Sequence, residues 1–287
     1  MDRREWLAET FEEQRPRLRA VAYRMLGSLS EAEDAVQDAW LRLSATADGE
    51  VDDPGPWLTT VVARIALNML RSRKTRSEAR VPDPIIDRAD GMSPEHGALL
   101  ANTVGLALLV VLETLAPAER VAFVLHDVFG MRFEEIAPIV ERSPEVARQL
   151  ASRARRRIQA RNATPDADME VQRSVVDAFL AAVREGDFRG LVAVLDPEVV
   201  IRGDLGAGHF LERRGAEQVA RGAQTFSRLG LLRRPILVNG AAGALCMLEG
   251  KLFSVMAFTV RGGKIVEIDV LRDPKRLGQL DLTVLDA

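Results

Sequence analysis

The stretch FEEIAPIVERSPEVARQLASRARRR, residues 133–157, decides how this chain is read. Its apolar residues fall at helical spacing in two runs: Phe133, Ile136, Ala137 and Val140, then Val146, Ala147, Leu150, Ala151 and Ala154. Between them Glu141-Arg142-Ser143 reads as a turn. Ser143 followed by Pro144 is a helix start, a capping hydroxyl with proline at the first helical position. The pattern predicts helices over 133–140 and about 144–161, a helix-turn-helix in which small alanines let the pair approach closely. Arg148, Gln149, Ser152, Arg153 and Arg156 then point outward. Arginine and glutamine both bond bidentately to purine edges in the major groove, and further arginines hold phosphates. Pro138 fits poorly, because it removes an amide donor inside the first helix. Taken alone, the segment also reads as an ordinary helical hairpin with an arginine-rich surface.

Charge extends the argument along the chain. The whole carries a net −3, unevenly spread. Residues 1–63 hold 13 acidic against 7 basic side chains. Residues 64–80 hold Arg64, Arg71, Arg73, Lys74, Arg76 and Arg80 against Glu78 alone. Residues 141–163 hold seven arginines against Glu141 and Glu145. Affinity for DNA follows local cation density, since each neutralised phosphate releases condensed counterions. Two basic islands, each ending a helical stretch, predict two separate DNA contacts.

Upstream, Leu18, Val21, Ala22, Met25 and Leu26 mark a helix that Gly27 breaks. Ser30, with Glu33 three residues on, is the expected cap of the next, which buries Ala32, Ala35, Val36, Ala39, Trp40 and Leu43 on one face. After Asp53-Pro54-Gly55-Pro56 a third helix runs from Trp57 into the first basic island. The expected order is a helical module at 10–78, a linker at 79–95, a second helical module at 96–161, a linker at 162–168 and an α+β domain at 169–287. That last part reads as helices at 171–184, 188–195 and about 216–228, and as strands around 199–201, 232–239, 243–249, 251–260 and 264–271, with Gly262-Gly263 as the last hairpin turn. One cysteine, Cys246, precludes an internal disulfide and suits a reducing cytoplasm. No leader or membrane span is read, and a cytoplasmic protein is expected.

On these residues the chain resembles an extracytoplasmic-function (group IV) sigma factor of RNA polymerase. SEAEDAVQDAWLRL, 30–43, is similar to the family's polymerase-clamp helix, and PWLTTVVARIALNMLRSRKTR, 56–76, to its −10 module. ERVAFVLHDVFGMRFEEIAPIV with ARQLASRARRR is similar to its −35 module. The resemblance implies core RNA polymerase and promoter DNA as partners. It puts Asp34, Gln37, Asp38 and Trp40 on or beside the polymerase-gripping surface, with Trp40 equally a core residue. It directs Arg64, Asn68, Arg71, Arg73, Lys74 and Arg76 at −10 DNA, Asn68 equally being helix filler, and Arg148, Gln149, Ser152, Arg153 and Arg156 at −35 DNA.

The remaining residues resemble the SnoaL-like, NTF2-type cone fused to one subgroup of these factors. The fold class implied is two all-α modules, the second with a helix-turn-helix, plus a C-terminal α+β cone. That subgroup carries tryptophan–leucine–proline–glutamate–proline in the linker and asparagine–proline–aspartate–lysine–leucine at the end of the cone. Here the linker keeps Val81-Pro82-Asp83-Pro84, and the tail has Asp273-Pro274-Lys275-Arg276-Leu277. These are the regulatory candidates, and a proline-rich segment is stiff enough to dock as a preformed strand. A cone enzyme would need an acid–base pair; Asp204, His209 and Asp269, with Arg202 nearby, are the candidates, and no arrangement stands out. Three scattered histidines argue against a metal, and no cofactor is expected. A small-molecule ligand of the cone stays open. The expected function is a sigma factor regulated by its own cone; the alternatives are a one-component regulator with a ligand-sensing cone and a cone enzyme with a DNA-binding appendage.

Overall fold

The computed structural model describes residues 3–46, 51, 53–76, 81–100, 106–161 and 168–285, without the side chains of 3, 4, 74–76, 95, 98, 99 and 161. The chain divides into two compact units. One comprises Met1–Ala79, Gly97–Asn102 and Val111–Asn162; the other comprises Arg80–His96, Thr103–Val110 and Ala163–Ala287.

The first unit opens with three helices: α1 (Arg3–Leu26), α2 (Leu29–Ser44) and α3 (Pro54–Arg76). Gly27 in the left-handed region (φ 67°) ends α1, so the next residue, Ser28, is the first extended one. Ser28 rather than Ser30 therefore caps α2, its Oγ accepting from the amide of Glu31 (3.5 Å). Glu33 closes no capping box and instead pairs with Arg19 (2.9 Å) and Arg15. Beyond β1 (Ile86–Arg88) come α4 (Pro94–Leu100), α5 (Leu106–Glu113) and α6 (Pro117–Phe123). The chain then widens into a π turn, Val124–Val128, before α7 (Phe133–Val140) and α8 (Pro144–Arg161). Tyr23, Leu58, Leu67, Leu125 and Ile136 are fully buried in this unit's core.

The second unit is the α+β cone. Helices α9 (Met169–Glu185), α10 (Phe188–Val194) and α11 (Ala216–Gln224) pack on a seven-stranded sheet. Its further strands are β2 (Leu195–Asp204), β3 (Phe210–Arg214), β4 (Leu232–Val238), β5 (Ala241–Leu248), β6 (Lys251–Arg261) and β7 (Lys264–Leu271). The order is β1-β4-β5-β6-β7-β2-β3, with only β2–β7 parallel. A short helix, α12 (Pro274–Leu277), follows β7. Phe179 of α9 meets Phe258 of β6 edge-on at 5.5 Å in the core. At Gly243 a Cβ would lie 2.5 Å from Val238 and 2.8 Å from the carbonyl of Met256, so only glycine lets β5 pass there.

Two departures from the sequence reading matter. The Gly206-Ala207-Gly208 segment is the hairpin turn between β2 and β3, and the strand Phe210–Arg214 that it introduces is absent from the sequence reading. The linker, moreover, belongs to the sheet. Ile86, Asp87 and Arg88 pair antiparallel with Val238, Leu237 and Ile236, making the linker an edge strand. Pro82, Pro84, Ile85 and Ile86 are buried. Asn239, itself fully buried with φ 51°, clamps the strand: its Oδ1 accepts from the Ile85 amide (3.1 Å) and its own amide donates to the Ile85 carbonyl (2.8 Å). Asn239→Ala strands a buried N–H, a cost of about 1–3 kcal/mol. Hydrogen exchange should therefore quicken over residues 85–88 before the rest of the sheet responds.

Candidate nucleic-acid interface and linker clasp

The alanine stripe on α8 works as spaced: Ala147, Ala151 and Ala154 are fully buried, against Ile136, Ala137, Ile139 and Val140 of α7. Ser143 caps α8 from the turn, its Oγ accepting from the Val146 amide (3.4 Å). Pro138 sits on the exposed side of α7, and the bond it removes would go to the carbonyl of Glu134, an exposed first-turn residue that water can satisfy. Arg148, Gln149, Arg153 and Arg156 are exposed and Ser152 is half-buried. The Arg148 guanidinium lies 5.1 Å over the Phe133 ring, which stacks on His126 at 3.9 Å. Other arginines of the same island are tied down: Arg155 to Asp127 (2.5 Å) and Arg157 to Glu119 (2.8 Å). The outward row is thus separated from the structural arginines beside it.

On α3 the cations divide in the same way. Arg64, Asn68 and Arg71 are exposed. Arg64 donates to the carbonyl of Pro138 (3.4 Å), and Arg71 pairs with Glu141 (3.3 Å), the residue that ends α7 in a left-handed conformation (φ 58°). Arg73 turns inward. It donates to the carbonyl of Leu26 (2.7 Å), pairs with Glu31 and lies 4.0 Å from Glu113. The side chains of Lys74 and Arg76 lie outside the described residues. Asn68 opens onto a polar groove that also takes in Asp38, Arg42, Met69 and Ser72. On α2, Asp34, Gln37 and Asp38 are exposed, as is Leu41. Trp40 is half-buried, its ring 4.9 Å from that of Phe11.

The sequence reading overlooked three charged residues that hold this unit together. Arg120, 2% exposed, donates to the carbonyl of Met25 (2.7 Å) and to Glu113 (2.8 Å). With Arg73 on Leu26, it satisfies carbonyls that the last turn of α1 leaves without helical partners. Arg24 is buried over the Phe129 ring (5.0 Å), and burial pulls its pKa down to about 10. The available signal was an arginine directly before Val121-Ala122-Phe123, a run suited to a core.

In the cone, the regulatory candidates converge on one guanidinium. Arg276 of α12 donates to Asp204 (2.6 Å), to Asp83 (2.5 Å) and to the carbonyl of Val81 (2.6 Å). Asp273 caps α12, accepting from the Lys275 amide (2.8 Å), and Pro274 takes the first helical position. Leu277 is buried, while Lys275 is exposed. Asp87 on β1 is fully buried, its Oδ1 meeting the Ser93 amide (3.0 Å) and His96 Nδ1 (2.8 Å).

The residues weighed for catalysis do not form an acid–base pair. Asp204 is held by Arg276 and by the Gly206 amide, and His209 is exposed in the hairpin turn. Arg202 lies among Glu267 (3.2 Å), Asp269 (3.6 Å) and Glu212 (3.7 Å). Arg202 and Asp269 alternate along their strands with Ile201, Gly203 and Val270, which line the cone's cavity, so the ionic cluster faces away from it. Burial pushes the Asp269 carboxyl up to about 7; Arg202 opposes this and Glu267 adds to it. Among the described residues no group of His, Cys, Asp and Glu has the arrangement of a metal site.

A helix-turn-helix with an exposed cationic row, beside a second helical module with its own basic helix, defines a DNA-binding protein of the transcription class. The family described as Sigma-70 region 2 matches residues 10–76, and Sigma-70, region 4 matches residues 105–158. The ECF RNA polymerase sigma factor SigJ of Mycobacterium tuberculosis is 37% identical over 290 residues, covering 93% of this chain and 91% of that protein. The probable ECF RNA polymerase sigma factor SigI of the same species is 36% identical over 270 residues, covering 91% of each. The crystal structure of SigJ superposes with a TM-score of 0.76 at 33% identity, covering 96% of this chain and 99% of that one. The chain belongs to the extracytoplasmic-function family of RNA polymerase sigma factors, whose partners are core polymerase and promoter DNA. No described helix is long and apolar enough to cross a membrane.

Two outcomes follow from the buried charges. Arg120→Ala takes the donor from the Met25 carbonyl and leaves Glu113 with Arg73 alone, 4.0 Å away, and should cost about 3–5 kcal/mol in urea unfolding. Asp269 binds its proton more tightly folded than unfolded, so its contribution is intact below about pH 4 and lost as pH rises through about 7. Asp269→Asn should therefore flatten the decline in unfolding midpoint between pH 5 and 8; an unchanged slope would assign that decline elsewhere.

Proposed function

We propose that this sigma factor reads −35 DNA with Arg148, Gln149, Ser152, Arg153 and Arg156. At the −10 element Arg64, Asn68 and Arg71 make the contacts, Lys74 and Arg76 flank them, and Arg73 supports the face from beneath. Core polymerase is gripped through Asp34, Gln37, Asp38 and the Trp40 edge, an acidic face suited to a basic partner. The working modules are 10–78, 96–161 and 169–287, joined by 79–95 and 162–168. The protein acts in the cytoplasm, where polymerase is. The cone acts as a regulator and performs no catalysis.

Distance is what makes regulation necessary. The −10 and −35 elements lie roughly 25 base pairs apart, about 85 Å along a duplex at 3.4 Å per step. Arg71 and Glu141, one from each helical module, are 3.3 Å apart, so the modules must part before both elements are read. Parting requires slack in the linker. Seventeen residues could span at most about 60 Å when free, but here the linker is paired with β4 and held by Arg276. That clasp is the observation that carries the regulatory reading. By holding the linker, the cone limits how far the modules travel.

Reconstituted transcription tests both halves. Arg148→Ala and Arg153→Ala should each weaken −35-dependent initiation by about 1–3 kcal/mol, with folding unchanged by circular dichroism. Arg276→Gln in the full chain should raise run-off transcription at least threefold while leaving binding to core polymerase unaltered. If hydrogen exchange reports a released linker and transcription does not move, the clasp is not regulatory.

A further inference from the structure

Inside the cone lies a cavity of about 300 Å³ that the clasp does not use. Its walls come from Phe179 and Leu180 of α9, Ala223 of α11, and Phe253, Met256 and Val270 of the sheet. An engineered apolar cavity of about 150 Å³ takes up one benzene, so this space suits an apolar body of about two rings. A cone that needed only to fold would fill such a void, since unfilled volume lowers stability.

Three arginines also line the cavity: Arg213, Arg233 and Arg272. None has an ion pair with a carboxylate among the described residues, whereas the half-buried Arg202 and Arg276 each have one. Arg272 and Arg233 are instead held by neutral groups. Arg272 packs over the rings of Phe253 (4.2 Å) and Phe226 (5.9 Å), an arrangement that fixes its direction without neutralising it. Arg233 donates to the carbonyl of Leu231 (3.2 Å). Arg213 passes over α11 where a Cβ on Gly222 would come within 2.6 Å of its Nη1. A glycine inside a helix is unfavourable, and here it leaves room for a guanidinium. The remaining polar lining is neutral: Thr225, Ser254 and Cys246, whose thiol burial holds in the protonated form.

We propose that the cone is a receptor for a compact apolar molecule bearing one carboxylate or comparable anionic group. The body fills the space between α9, α11 and the sheet, and the anion is met by Arg213, Arg233 and Arg272. Apolar walls supply affinity, while the guanidiniums set the sign of charge accepted, because an anion meets planar donors. Leu205, large and exposed, also lines the cavity and would be partly covered on entry. Ligand binding by the cone is measurable without polymerase or DNA.

Calorimetric titration of the full chain with 1-naphthoate, its neutral isostere 1-naphthamide and the cation 1-naphthylmethylammonium separates shape from charge. Naphthoate should bind at least tenfold more tightly than the amide, with the cation weaker still. Arg213→Met, at an exposed side chain, should reduce that preference at least threefold. Ala223→Phe should abolish binding of all three. Cys246, the chain's one cysteine, lines the cavity and gives a second readout: saturating naphthoate should slow its reaction with a small thiol reagent at least fivefold. Equal affinity for the anion and the amide would overturn the assignment, as would binding that survives Ala223→Phe or leaves Cys246 unprotected.

Discussion

The helical unit depends on how the C-terminus of α1 is finished. A helix end presents carbonyls with no partner in the helix, and one buried without donors would be costly. Here Arg73 takes Leu26 and Arg120 takes Met25, and both arginines reach Glu113. One donor comes from α3 of the region 2 match and the other from α6 of the region 4 match, so a local requirement of one helix end ties the two modules together. Because the arginines are buried, the tie is strong while intact and expensive to break halfway. The exposed contacts of Arg64 and Arg71 across the same pair of modules are weak by comparison, as solvent-screened pairs are. The unit can therefore shed its surface contacts at low cost and still keep a definite closed form.

The same division runs through the helix-turn-helix. Within α8, Arg155 and Arg157 are bound to carboxylates of the preceding segment, while Arg148, Arg153 and Arg156 stay outside. A helix-turn-helix must be rigid in one direction and adaptable in the other, and the arginines are divided between those demands. Charge density alone could not have separated them, because both sets lie in one basic run.

That limit explains what was legible beforehand. Periodicity located α7, α8, β4 to β7 and the alanine stripe within a residue or two, since each buries one continuous face. It failed where the partner is remote. The strand at Ile86–Arg88 has no alternation of its own and exists because β4 offers it an edge 150 residues later. The strand at Phe210–Arg214 carries mostly exposed side chains, so no apolar pattern announces it. Arg276 was singled out by resemblance, but its threefold grip on Val81, Asp83 and Asp204 depends on geometry that no local pattern encodes. The catalytic candidates show the converse case: Asp204 and His209 are of the types an acid–base pair needs, whereas the strand's two-residue period sends Asp204 away from the cavity.

The linker strand bears on the molecule's lifetime as well as on its reach. If Ile86–Arg88 leaves β4, the backbone of Ile236 to Val238 becomes a bare edge beside Leu232, which is already 72% exposed. Open edges of that kind recruit other strands, including those of neighbouring copies. An undocked state would thus carry a self-association hazard that grows with its concentration and duration. Return of the chain's own linker is the fastest remedy, since it is tethered and always at hand. The clasp accordingly doubles as a guard against clumping, and any period spent undocked is limited by the molecule's own colloidal safety.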